Sequence, residues 1–180
     1  MKKIPTIFKR NPDNMSEILD IPHPDCQWVF EGEGVATKKY DGTCIKIEND
    51  GYFKRREIKP GKKVPEDFIE EETDGNTGKR VGWVPVNPIS KEDQWHMEAF
   101  EEGLEDGTYE LVGPKVQGNP ERSENHKLVK HSEAETLDAP RSYTQLAEWF
   151  EDKDIEGIVF HHPDGRMAKI KKSDFGLSRT

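Results

Sequence analysis

Thr43-Cys44-Ile45-Lys46-Ile47-Glu48-Asn49-Asp50-Gly51-Tyr52-Phe53-Lys54-Arg55-Arg56 reads as two strands and the turn between them. Thr43 to Ile47 alternates with period two, as a strand with one buried face does. Asn49-Asp50-Gly51 supplies residue types that tolerate the left-handed backbone of a tight turn, so Tyr52 to Arg56 returns as an antiparallel partner. A polar sequence that makes its first clear pair this way predicts an antiparallel sheet rather than a helical bundle.

Upstream, Gln27 to Phe30 reads as a strand start, Glu31-Gly32-Glu33-Gly34 as a turn, and Val35 to Lys39 as a strand. Residues 1–27 carry Pro5, Pro12, Pro22 and Pro24, which predicts no long regular element there beyond a short edge strand at Ile7-Phe8-Lys9-Arg10. Downstream, Pro60-Gly61 ends the hairpin, and the acidic stretch to Gly78 reads as a loop or short helix. Trp83 to Val86 is a brief extended piece. Trp95, Ala99 and Phe100 fall at helical spacing between Glu92 and Glu102, with Gly103 as the stop. Thr108 to Val112 and Lys127 to His131 read as strands. Ser142-Tyr143-Thr144-Gln145 is a capping box opening a helix through Leu146, Trp149 and Phe150. Ile155 to Phe160 and Met167 to Lys171 pair around Pro163-Asp164-Gly165. The class is α+β, mostly antiparallel strands with two helices.

The chain has 180 residues, enough for one domain with a real core. Charged residues make up 35% and hydrophobic ones 32%, yet 4 Trp, 8 Phe and 4 Tyr give that core bulk. The net charge of −9 argues against a general nucleic-acid coat protein. The cations are nevertheless clustered, at Lys54 to Lys63 and at Arg166 to Lys172, while acids collect at Glu66–Asp74, Glu98–Asp106 and Glu148–Glu156. Cys26 and Cys44 are isolated, with no CxxC or Cys/His spacing. They indicate neither a disulfide framework nor a zinc site, which suits a reducing, cytoplasmic location. No apolar run approaches the ~20 residues of a membrane span.

Several charged residues sit in or beside strands: Lys39, Glu110, Glu156, Lys169 and Lys171, with Arg55-Arg56 nearby in sequence. A solvated sheet face accounts for any one of them. Together they make one nucleophile, two carboxylates and several cations. A free lysine is almost wholly protonated at neutral pH, and neighbouring cations free its amine. Carboxylates hold Mg2+, which in turn holds phosphates, and lysines stabilise charge on an α-phosphate. The set suits attack of a lysine on a nucleotide α-phosphate.

Lys39-Tyr40-Asp41-Gly42 resembles the KxDG motif of the covalent nucleotidyltransferases, the ATP-dependent DNA and RNA ligases and mRNA capping enzymes. Arg56 or Arg55, Tyr109-Glu110-Leu111-Val112-Gly113, Glu156-Gly157-Ile158-Val159 and Lys169-Ile170-Lys171 are similar to the family's further motifs, in the family's order. Gly34 to Cys44, Lys54-Arg55-Arg56-Glu57 and Gly118-Asn119-Pro120 look more narrowly like the small RNA ligases related to the vertebrate 5′–3′ RNA ligase. The resemblance implies a single nucleotidyltransferase (ATP-grasp-like) domain over 1–180, two antiparallel sheets with flanking helices around a nucleotide cleft. No C-terminal OB domain is expected. It implies that ATP adenylylates Lys39, with Mg2+ or Mn2+ as the metal. Thr37 or Lys38 would meet the adenine, Glu110 the ribose, and Lys169 and Lys171 the α-phosphate. Glu156, with Glu110, would serve the metal. Arg55 and Arg56 would contact nucleotide or the incoming 5′-phosphate, and Lys9 and Arg10 would help hold RNA. AMP would pass to an RNA 5′-phosphate, to be displaced by a 3′-hydroxyl. For the aromatic that stacks on adenine, Leu128, His131 and Phe160 are the options. Alternatives are a DNA nick-sealing or protein-AMPylating relative, or a non-catalytic nucleotide-binding module. An accessory protein for substrate grip is also compatible with the sequence.

Overall fold

The computed structural model describes residues 1–179. Its strands and α-helices run β1 (Phe8–Asn11), β2 (Asn14–Pro22), α1 (Gln27–Phe30), β3 (Val35–Lys39), β4 (Thr43–Glu48), β5 (Gly51–Ile58), β6 (Ile69–Thr73), β7 (Arg80–Pro85), α2 (Gln94–Ala99), β8 (Gly107–Val112), β9 (Lys127–Lys130), α3 (Tyr143–Glu151), β10 (Gly157–His161) and β11 (Met167–Lys171). All strand pairs are antiparallel, in sheets ordered β1-β2, β11-β10-β3 and β6-β7-β5-β4-β8-β9. The α+β reading holds.

Two compact units divide the chain. The split unit takes Ile4–Tyr40 and the chain from Ala134 onward; the meander unit takes Met1–Lys3 and Asp41–Glu133. In the split unit the three-stranded sheet buries one face. Ala36, Ile158, Phe160, Ala168 and Ile170 alternate onto it and are nearly or wholly inaccessible. They share a core with Phe8, Trp28, Val29, Leu146 and Phe150. Helix α3 contributes Leu146 and Phe150, four apart on one face, and each buried side chain is worth roughly 1.5–3 kcal/mol. Ser142 starts the helix by accepting the amide of Gln145, as its capping pattern predicts.

In the meander unit the six-stranded sheet packs Ile45, Ile47, Tyr109 and Leu111 with Ala99 and Val116. The β4–β5 hairpin turns at Asn49 and Asp50, at φ 49° and 64°, the backbone a two-residue primed turn requires.

Four expectations are corrected. Gln27–Phe30 is a helical turn, because Pro24 opens a 3-10 turn that His23 caps and the chain continues from it into α1. Strand β2 spans nine residues despite the prolines, because Pro12 lies in the turn before it and Pro22 at its end. The acidic stretch contains edge strand β6, whose Glu70 pairs with Arg80 and whose Glu71 accepts Trp83 Nε1 at 2.8 Å. Charge on an edge strand is compatible with pairing on its inner side. Helix α2 is shorter than its stripe and stops at an extended Phe100. Among the described residues no helix is long and apolar enough to cross a membrane.

Candidate functional site

Strand register builds the first cluster. Lys39 and Lys171 both lie opposite Gly157, while Thr37 and Lys169 both lie opposite Val159. Directly paired residues point the same way, and so do residues two apart in a strand. Thr37, Lys39, Lys169 and Lys171 therefore share the face opposite the apolar core. Gly157 leaves a gap between two of these lysines, and a Cβ there would collide with the Ile170 carbonyl oxygen.

Glu156 immediately precedes β10. Its carboxylate Oε2 accepts Lys39 Nζ at 2.7 Å, and the two side chains are 20% and 23% exposed. Three further residues hold this end of the sheet. The Lys172 amide donates to the Glu156 carbonyl at 2.9 Å. The Lys172 side chain, 2% exposed, donates to the carbonyls of Lys153 at 2.7 Å and Glu151 at 3.4 Å, closing the C-terminal end of α3 with a cation. Asp174 accepts the Lys171 amide at 2.8 Å and pairs with Arg10 at 2.8 Å. Lys172 therefore serves structure, and Arg10 has a structural partner; Lys9 is exposed.

Burial and the neighbouring ammonium groups of Lys39 and Lys171 lower the Lys169 pKa to about 8, against the opposing pull of Asp174 and Glu156. Thr37 is buried, and its hydroxyl donates to the Val159 carbonyl at 2.9 Å. Lys38 lies over the Tyr40 ring, 4.9 Å from its centre.

A second cluster forms in the meander unit. Cys44 and Glu110 are register partners on β4 and β8. His131 reaches Glu110 Oε2 through Nε2 at 2.8 Å and Thr108 Oγ1 through Nδ1 at 2.8 Å. Glu110 Oε1 accepts the Gly42 amide at 3.2 Å, and Glu121 Oε1 accepts the Asp41 amide at 3.0 Å. Two carboxylates thus hold the successive amides of Asp41 and Gly42 within the lysine motif. Gly42 is needed there because a Cβ would strike the Leu111 carbonyl oxygen. Burial, reinforced by the Glu110 charge, pushes the Cys44 thiol up to about 12. Arg55 donates from Nε to the Met1 carbonyl at 3.4 Å, while Arg56 is exposed.

Of the sequence-selected residues, the split unit collects Thr37, Lys38, Lys39, Glu156, Lys169 and Lys171. The meander unit holds Glu110, Arg55 and Arg56. Phe160 is fully buried in the core beneath Arg141, so it is not available to stack on a base. The sequence reading missed Glu121, the support given by Lys172 and Asp174, and the Cys44–Glu110–His131 grouping. Long-range partners hide most of these from the sequence: Glu121 meets the Asp41 amide, Asp174 pairs with Arg10, and Cys44 faces Glu110 across two strands.

Residues 100–180 match the family model for RNA ligase 1. Curated relatives named RNA ligase 1 are 27% identical in Mus musculus and 26% in Rattus norvegicus, each match covering 79% of this chain and 67% of the relative. The Danio rerio protein of that name is 28% identical over 56% of this chain and 42% of its own length. The chain thus spans about two thirds of the rodent proteins and less than half of the fish one.

Proposed function

We propose that this chain, which is similar to the RNA ligase 1 proteins, is an ATP-dependent RNA ligase working through a lysyl-AMP intermediate on a nucleotidyltransferase fold. The observation that carries this reading is the Lys39–Glu156 pair on a sheet face shared with Lys169 and Lys171. In the first step Lys39 Nζ bonds to the α-phosphorus of ATP and the bond to pyrophosphate breaks. The ammonium must first lose a proton, and Glu156 Oε2 is an acceptor within hydrogen-bonding distance. Lys169 and Lys171 offer positive charge to the phosphate as its charge shifts towards the leaving group. A 5′-phosphate oxygen of RNA then takes AMP from Lys39, and a 3′-hydroxyl displaces AMP to form the phosphodiester.

Glu156 is a hard oxygen donor that suits Mg2+ or Mn2+, which commonly bind one or two protein carboxylates together with substrate phosphates. Such an ion supplies charge neutralisation to the triphosphate. Glu110 is read as the ribose contact and a further carboxylate for the metal, Thr37 or Lys38 as the adenine contact, and Arg56 with Arg55 as contacts for nucleotide or 5′-phosphate. The exposed Lys9 is available to RNA phosphate.

The test is incubation with α-labelled ATP and Mg2+, then denaturing electrophoresis. The expected result is a labelled protein band, lost in acid and stable in alkali as a phosphoramidate is, and absent from Lys39→Ala. Label should then move to 5′-phosphorylated RNA. A folded, AMP-free protein that takes no label from ATP or GTP removes the ligase reading.

A further inference from the structure

Cys44, Glu110 and His131 come from β4, β8 and the 3-10 turn after β9, and one ligand atom from each lies within 4.8 Å of the others. We propose that this grouping is a binding site for a thiophilic divalent cation of the Zn2+ type, with Cys44 Sγ, His131 Nε2 and Glu110 Oε2 as its three protein ligands.

Donor chemistry selects the ion. Thiolate and imidazole together favour Zn2+ and its neighbours over Mg2+ or Ca2+, which prefer all-oxygen shells. Zinc–ligand bonds of about 2.0–2.3 Å in a tetrahedral shell separate donor atoms by roughly 3.5 Å. The three atoms therefore need only a small closing movement. His131 Nε2 and Glu110 Oε2 already face each other at 2.8 Å, and the cation takes the place of the proton between them.

The neighbours fit too. His131 Nδ1 faces Thr108 Oγ1 at 2.8 Å, so the ring proton can sit on Nδ1 while Nε2 keeps its lone pair for the metal. Glu110 can ligate through Oε2 while Oε1 keeps the Gly42 amide. Binding forms the Sγ–metal and Nε2–metal bonds; the S–H proton goes to solvent, and the ring proton displaced from Nε2 is carried on Nδ1, where Thr108 Oγ1 accepts it. Three protein ligands leave a fourth position open, as in zinc sites that exchange water or a small ligand. All these residues belong to the meander unit, so the site stands whether or not the chain seals RNA; with Glu110 on the cation it does not also meet ribose or Mg2+, so the two occupancies exclude each other.

The probe is Co2+, titrated into the whole folded chain without nucleotide and followed by thiolate-to-metal charge-transfer absorption. We expect one equivalent to bind with such a band and to be displaced by Zn2+. Cys44→Ser should abolish the band, Cys26→Ala should leave it, and Thr108→Val should weaken binding roughly 10-fold or more through the ring orientation. Zn2+ should also raise the thermal midpoint of the wild type but not of His131→Gln. A folded wild type that gives no charge-transfer band overturns the proposal, and so does a band that survives Cys44→Ser with unchanged affinity. If Cys44→Ser does not fold, His131→Gln decides: undiminished Co2+ affinity in it overturns the site.

Discussion

The two polar clusters handle charge in opposite ways. In the split unit, Lys39, Lys169 and Lys171 share one sheet face, and Glu156 pairs with Lys39. In the meander unit, both Glu110 oxygens and both His131 ring nitrogens have partners inside the unit. The first arrangement concentrates positive charge and is relieved by an anion; the second is internally satisfied and exchanges a proton only for something equally specific. Burial first, and the neighbouring ammonium groups second, show their cost in the lowered pKa of Lys169.

The largest expected effect comes from removing the Glu156 carboxylate that pairs with Lys39. Glu156→Gln should slow formation of the labelled adduct about 100-fold or more, measured as the single-turnover labelling rate, with the thermal midpoint nearly kept. Retained labelling would make Glu156 a bystander.

Spacing is the next thing to break. Gly157→Ala should destabilise by about 1–3 kcal/mol, because its Cβ meets the Ile170 carbonyl and forces β11 away from β10. Urea unfolding with an unchanged m-value measures it. The same change at exposed Gly165, where nothing lies within 4 Å of a Cβ but φ is +97°, should register backbone strain without collision.

Two depressed bases sharpen the contrast through pH. Lys169 has a folded pKa of about 8 against an ordinary 10.5, so the unfolded chain binds more protons between those values. Its penalty is fully present below pH 8 and fades as pH rises to 10.5. His96 in the meander unit is lowered by burial from 6.5, against the pull of Asp93, and its ring nitrogens have no hydrogen-bond partner among the described residues. Its penalty therefore grows as pH falls below 6.5. Stability against pH should rise in both windows. Lys169→Gln should flatten only the alkaline one, and His96→Phe only the acidic one. At pH 8, ATP binding should raise the Lys169 pKa and take up as much as about half a proton, read as a buffer-dependent calorimetric enthalpy.

The smallest effect is expected at Glu121. Glu121→Ala removes the acceptor of the Asp41 amide and should cost about 1 kcal/mol, while Glu121→Gln keeps an acceptor and should cost less. Urea midpoints for the pair distinguish a hydrogen bond from a charge effect.

Where the backbone pattern is local, the sequence already contains it. The β4–β5 hairpin follows from period-two alternation around Asn49-Asp50, and α3 from Ser142 and its apolar stripe. Lys39, Glu156, Lys169 and Lys171 were legible as a set because each sits in a short motif within or next to a strand. Elements whose identity depends on what they pair with were not legible. The charges of β6 read as a loop until β7 supplies its partner, and Trp28-Val29 reads as strand until the turn from Pro24 winds it.

The sequence alone determined the antiparallel α+β class and the identity of the lysine and carboxylate motifs, because alternation, turn residues and helix caps act over a few positions. Only the tertiary structure decided that Lys169 carries the lowered pKa, that Lys172 is a buried cap, and that Cys44 meets Glu110 and His131. Desolvation and ligand geometry depend on distances between residues 66 and 87 positions apart in sequence from Cys44, and these distances exist only once the strands have paired.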